Sequence, residues 1–214
     1  MGVLNEVKEV IYVGLFNGKF SVKVNEHEEG AVARINKNGI QVFEKYYGAI
    51  GGLLTNIKAR EGRYGKTYVF TFSDGEDIVK VETAILHEFT TAIINRLPRL
   101  DLKKTINVVA SHSARNDKTY FNVYQDDVPI EDHFQKWNND LRSWERFNDY
   151  PEWERVELNG QQVWDYSKQL EFQKNVASQY FSELDVEDSW KGKSVAQAYQ
   201  DHTNKSENSD DLPF

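Results

Sequence analysis

Residues 67–73 place a large ring at every second position: Tyr68, Phe70 and Phe72 alternate with Val69 and Thr71. A period of two is the pattern of a strand with one face turned to a core, and it limits the chain to folds that offer such a sheet. The neighbouring segments extend the same grammar. Residues 44–60 read as a long strand interrupted by Gly48, Gly51 and Gly52, and glycine inside a strand marks a bend or bulge. Residues 61–66 form a turn, and Asp74-Gly75-Glu76 turns the chain into a further strand over 77–83. The period then changes. Leu86, Phe89, Ile93 and Leu97 fall on one helical face, and the helix ends before Pro98. Residues 105–111 and 118–124 return to strand on either side of the polar stretch 112–117.

Three strands, a helix and two strands is the element order of an OB-fold barrel, in which a long bent first strand serves both halves. The expected fold is therefore mainly β, a β-barrel with helices, over residues 44–125. Before it, residues 10–15 and 19–24 flank Asn17-Gly18, a hairpin signal, and 31–35 and 40–47 suggest a second pair. Residues 1–43 are accordingly read as an N-terminal β-hairpin decoration of the OB-fold core. Residues 126–184 form an aromatic-rich α/β C-terminal extension holding Trp137, Trp144, Trp153 and Trp164. Within it a helix is expected over 133–147, with Phe134, Trp137, Leu141 and Trp144 on one stripe. A hairpin is expected about Asn159-Gly160, and a second helix over 167–184. The aromatic residues are read as a satellite core covering one face of the barrel. Low apolar content over 185–214 implies a disordered acidic tail.

Charge follows the same division. Residues 31–125 carry 14 Lys and Arg against 9 Asp and Glu, although the net charge of the chain is −8. The excess acid lies in the flanks, an asymmetry expected of a nucleic-acid-binding middle with an acidic interaction tail. The absence of cysteine removes disulfides and thiolate metal sites and fits a reducing compartment. Acids within residues 1–9 break any signal-peptide run, and no apolar stretch reaches membrane-spanning length. A cytoplasmic protein without membrane contact is expected.

The sequence ends Asp210-Asp211-Leu212-Pro213-Phe214. An exposed polar tail has no folding reason to finish on an apolar ring, so these residues read as a ligand. Phe214 would fill a pocket, Pro213 would limit the ordering cost, and Asp210 and Asp211 would steer association, with Leu212 beside them. Over residues 210–214 the chain resembles the acidic tip of bacterial and phage single-stranded-DNA-binding proteins. The resemblance implies an OB-fold that holds the strand and a tip that recruits replication and recombination proteins. A homo-oligomer would be compatible with it.

OB domains bind along strands two and three, bordered by the loops joining strands one–two and four–five. The first loop would offer Arg60, Arg63, Tyr64 and Lys66, and the second Arg115 and Lys118, with Tyr68, Lys80 and Tyr120 on strands between them. Cations for phosphates and rings for bases are what sequence-independent strand binding requires. Phe70 and Phe72 are assigned to the core. No catalysis, cofactor or metal is implied. His27, His87, His112, His133 and His202 are scattered without ligand spacing, and no Walker motif is present. Two alternatives remain: a protein-interaction module without DNA binding, and a metal-dependent nuclease built on Asp126, Asp127, Glu131, Asp132 and His133. Asp126-Asp127-Val128-Pro129-Ile130 nearly repeats the terminal motif and reads as a turn after a strand.

Overall fold

The computed structural model describes residues 9–36, 38–62, 65–158 and 161–181. The protein is mainly β. Strands β1 (Val10–Phe16) and β2 (Lys19–Lys23) form the expected hairpin, with Val13 opposite Val22 and Phe16 opposite Lys19. Asn17 and Gly18 take φ of 46° and 72°, the left-handed pair that a tight two-residue hairpin turn requires. Strands β3 (Val32–Ile35) and β4 (Gln41–Tyr47) pair with each other, and β4 also pairs with β2.

Residues 44–60 are not one strand. The chain breaks at Gly48, where its hydrogen-bonding partner changes: β4 belongs with β2, whereas β5 (Ala49–Gly62) belongs with two other strands. The first part of β5 pairs with β8 (Ile106–Ser113), from Ala49 opposite Val109 to Gly52 opposite Ile106. The remainder pairs with β6 (Gly65–Ser73), with a bulge between Leu54 and Asn56. Two glycines occupy the corner. A Cβ on Gly51 would lie 2.4 Å from Asn107 Oδ1, and Gly52 has φ 142° with its virtual Cβ 3.0 Å from the Ser73 carbonyl oxygen. A side chain at Gly52 would meet the β6 backbone in a strained conformation, whereas one at Gly51 would have to displace the Asn107 side chain.

Strand β7 (Ile78–Ala84) pairs with β6, and β9 (Lys118–Gln125) pairs with β8 and with the short β10 (Val128–Pro129). Strand β1 lies parallel to β7, with Val10 opposite Ile78 and Val13 opposite Val81. A mixed ten-stranded sheet results, in the order β10-β9-β8-β5-β6-β7-β1-β2-β4-β3. Among the described residues it does not close into a barrel. The N-terminal strands thus continue the main sheet past β7.

Helix α1 (Glu88–Ile94) lies against the inner face of this coiled sheet. Phe89 meets Phe70 at 5.2 Å and Phe121 at 5.3 Å between ring centroids, both edge to face. Phe20 of β2 lies 5.9 Å from Phe121 of β9, so strands far apart in the sheet share one core. Burying each such ring contributes about 1.5–3 kcal/mol.

The extension departs from expectation at residues 133–147, which form a hairpin and not a helix. Strands β11 (Gln135–Asn138) and β12 (Ser143–Arg146) pair with Trp137 opposite Trp144. One side chain competes with helical hydrogen bonds here. Asn138 Oδ1 accepts from the amides of Asp140 and Leu141 at 2.9 and 3.0 Å, which a helix would pair with the Lys136 and Trp137 carbonyls. Asp132 Oδ1, by contrast, accepts from those of Phe134 and Gln135 at 2.8 and 2.9 Å as a helix N-cap would. Strands β13 (Glu154–Leu158) and β14 (Gln161–Asp165) form the expected second hairpin; its turn at 159–160 lies outside the described residues. Helix α2 (Ser167–Tyr180) docks on α1: Gln173 Nε2 donates to Thr91 Oγ1 at 3.1 Å. Phe134, Tyr150 and Phe172 form a satellite core, but Trp137, Trp144 and Trp153 are about half exposed and do not join it. No described helix is long and apolar enough to cross a membrane.

Candidate functional site

Alternation along β5, β6, β7 and β1 separates an inner apolar face from an outer polar one. Ile57, Ala59, Tyr68, Phe70, Phe72, Val81 and Val13 are buried. The residues between them face outward and line up across four strands as Asn56, Thr71, Lys80 and Tyr12. A parallel row runs through Lys58, Val69 and Glu82. The ammonium of Lys80 lies 5.9 Å from the centroid of the Tyr12 ring, which is 46% exposed.

Along β1 the outer positions are Tyr12, Gly14 and Phe16, two rings with no side chain between them. A Cβ on Gly14 would lie 3.1 Å from Ser21 Oγ on the adjacent strand. This gap opens on a cavity of about 700 Å³ whose border includes Tyr12, Phe16, Lys23 and Arg34 together with the carboxylates Glu9, Glu28, Glu44 and Asp74. Phe16 is covered on one side by the Arg34 guanidinium at 4.8 Å and neighbours Tyr46 at 6.1 Å.

Two buried carboxylates organise the cations of this face. Glu44 accepts from Arg34 Nε and Nη2 at 2.8 Å each and from the Tyr46 hydroxyl at 2.9 Å. Burial alone would raise the Glu44 pKa, but the hydrogen bonds from Arg34 and Tyr46, with the charges of Arg34 and Lys23, hold it below the usual carboxylate value. Glu82 receives both Nε and Nη2 of Arg60 and accepts from Thr67 Oγ1 at 2.8 Å. Arg34 and Arg60 are therefore held in place with matched charge, whereas Lys58 and Lys23 project exposed from the same face.

The residues expected to bind a strand fall into separate groups. Arg60 and Lys66 lie within β5 and β6 and not in the intervening loop, and Lys80 lies on the outer face. Arg63 and Tyr64 lie outside the described residues, as do Asp210, Asp211, Leu212, Pro213 and Phe214. Tyr68 is a correction: it is fully buried beside Phe70 at 6.2 Å, because the period that turns Phe70 and Phe72 inward turns Tyr68 inward too. Its hydroxyl has no hydrogen-bond partner among the described residues, and burial pushes its pKa up to about 12. Arg115, Lys118 and Tyr120 gather at the β8–β9 turn, where Asn116 Nδ2 donates to the Tyr120 hydroxyl at 2.7 Å. Tyr12, Phe16, Lys23 and Lys58 escaped the sequence reading. Tyr12, Gly14 and Phe16 do alternate with Val13 and Leu15, but only the parallel pairing of β1 with β7 brings them beside Lys80.

The acidic stretch after β9 is taken up locally. Asp126 Oδ2 accepts from Lys104 at 2.6 Å, Glu131 pairs with Arg99 at 3.3 Å, and Asp132 Oδ2 accepts from Asn95 at 2.9 Å. Among the described residues no group of three or more His, Asp or Glu is arranged to hold a metal ion. A comparison with protein-family models, curated proteins and solved structures yields no match for this chain.

Proposed function

We propose that this protein binds single-stranded DNA without sequence preference and serves replication, recombination and repair, with residues 210–214 recruiting partner proteins. The observation that carries the reading is the outer face of β1, β5, β6 and β7. It presents two rings separated by a glycine gap, with Lys80 beside Tyr12, Lys23 on the adjoining β2 and Lys58 farther out on β5. Bases stack on rings whatever their identity, and ammonium groups match phosphates without reading sequence. An OB-type core over β5–β9 and α1 is part of the same proposal. It is supported by β5 pairing with both β6 and β8 and by α1 falling between β7 and β8. In this arrangement the β1–β2 hairpin would flank β7 and add its rings to the binding face.

The test is fluorescence anisotropy of a labelled mixed-sequence strand at two salt concentrations, with duplex competitor, for the native chain and Gly14→Ala. The native protein should bind the strand in preference to duplex, more weakly at higher salt. Gly14→Ala should weaken binding about five- to tenfold, at the lower end of the range for one lost stack. Gly14 has no left-handed φ and alanine suits a strand better than glycine, so with Ser21 Oγ moved a few tenths of an ångström aside the melting temperature should change little. Absence of strand binding at low salt would overturn the proposal. Unchanged affinity in Gly14→Ala would remove the glycine gap from the binding site.

A further inference from the structure

We infer that the β11–β12 hairpin is a second stacking site for unpaired nucleobases, separate from the face of β1, β5, β6 and β7; this rests on the proposed single-strand binding. Trp137 and Trp144 stand directly opposite each other across the hairpin and so lie on the same face. Their rings meet edge to face at 5.5 Å, yet they remain 45% and 52% exposed. An indole pair closed into a core would show neither value, and nothing among the described residues covers them.

Charge selects the occupant. Along the two strands, the indole face also carries Gln135 and Arg146, which oppose each other two register steps away, and no carboxylate. Glu145 lies on the other face, where its Oε1 accepts from Asn138 Nδ2 at 2.6 Å. Arg142 sits exposed in the connecting turn with φ 49°. Arg146 is 3.9 Å from Glu152, a long and solvent-exposed pair that a phosphate can replace. Residues 135–147 hold Lys136, Arg142 and Arg146 against Asp140 and Glu145, a local excess of cations within an acidic extension. Exposed indoles beside guanidinium groups suit a strand that presents π faces and phosphates alternately. The site thus adds a second contact region to a strand already held on the main sheet.

The experiment compares the full-length native protein with Trp137→Phe/Trp144→Phe, Trp137→Ala/Trp144→Ala and Arg146→Gln. Each is titrated with an oligothymidine of about 8 nucleotides, within one OB-type site, and with one several times longer. The phenylalanine variant should bind the longer strand within about twofold of the native protein, since a ring still stacks, but lose a clear share of the strand-induced tryptophan quenching. The alanine variant should lose about tenfold in affinity for the longer strand and little for the short one. Arg146→Gln leaves the indole pair intact and should reduce the salt slope on the longer strand by about 0.7. Unchanged quenching in the phenylalanine variant, or unchanged long-strand affinity in the alanine variant, overturns the inference while leaving the main binding reading intact. Light scattering that shows a native oligomer dissociated by the alanine substitutions at unchanged DNA affinity would make the hairpin a protein contact, and so overturns it too. A native protein that binds neither strand overturns both readings together.

Discussion

His87 shows how one side chain couples local structure to pH. It caps α1 by accepting the Phe89 amide on Nδ1 at 3.0 Å, which requires that nitrogen to be unprotonated. Its ring packs on Phe121 at 5.8 Å, and burial lowers its pKa from 6.5 to about 4. Because the folded value is depressed, the unfolded chain takes up the proton first as pH falls. The stability contributed by neutral His87 is complete above about 6.5 and is lost progressively as pH falls toward 4, on the order of 2–3 kcal/mol. His87→Asn keeps a capping acceptor without a titrating ring. Urea unfolding at pH 7 and pH 4.5 should therefore show a smaller difference for the variant; an equal difference would assign the acid sensitivity to carboxylates. Tyr68 carries a sequence lesson at this scale. The alternation of residues 67–73 already contained its burial, and giving it a binding role while assigning Phe70 and Phe72 to the core divided one pattern between two faces.

The β1–β2 hairpin is the element on which the site most depends. Its turn is fixed by Gly18, whose φ of 72° is left-handed and whose virtual Cβ would lie 2.7 Å from the His112 Cβ on β8. The glycine thus serves the turn and the close approach of the hairpin tip to another strand at once. Gly18→Ala should cost about 1–3 kcal/mol, which for a chain of this size lowers the melting temperature by several degrees in a calorimetric scan. A loss of a few tenths of a kcal/mol would mean the tip can move away from β8. Asn17-Gly18 made this turn legible in sequence. The β11–β12 hairpin was not legible, because Phe134, Trp137, Leu141 and Trp144 fit a helical stripe as well as they fit strands. What decides between them is local: Asn138 binds the amides of Asp140 and Leu141 that a helix would need, and the indoles pair across the hairpin.

At the scale of the molecule, the extension is bound to α1 and its C-terminal end by specific contacts. Asn95 donates to Asp132, Gln173 to Thr91, and Arg96 Nε to the Ile130 carbonyl at 2.7 Å. Arg96 is the most constrained of these. Burial lowers its pKa, Asp132 raises it in opposition, and its Nη1 also donates to the Ala92 carbonyl at 2.9 Å. These bonds lie in the seam between α1 and the segment after β9, so separating the two parts would leave buried polar groups unpaired. The described parts should therefore unfold together. Four of the five tryptophans lie in residues 126–184, so their fluorescence reports the extension while far-UV circular dichroism reports mostly the sheet. The two denaturation curves should coincide; a fluorescence transition at lower denaturant would mark the extension as an independent unit.

The sequence by itself determined most of the strands over 10–125, though not the break at Gly48, together with the turn at Asn17-Gly18, the bend at Gly51 and Gly52, and the short helix before Pro98. Each follows from a period, a backbone requirement or a missing N–H that acts within a few residues. Tertiary structure alone decided that β1 lies parallel to β7 and that β5 divides its edges between β6 and β8. It also decided that Arg34 and Arg60 are matched by buried Glu44 and Glu82, while Lys80 lies beside the Tyr12 ring. Those outcomes depend on which strand edges and charges meet across long sequence separations. Such contacts are selected by packing the common Phe20, Phe70, Phe89 and Phe121 core, a choice that no local pattern records.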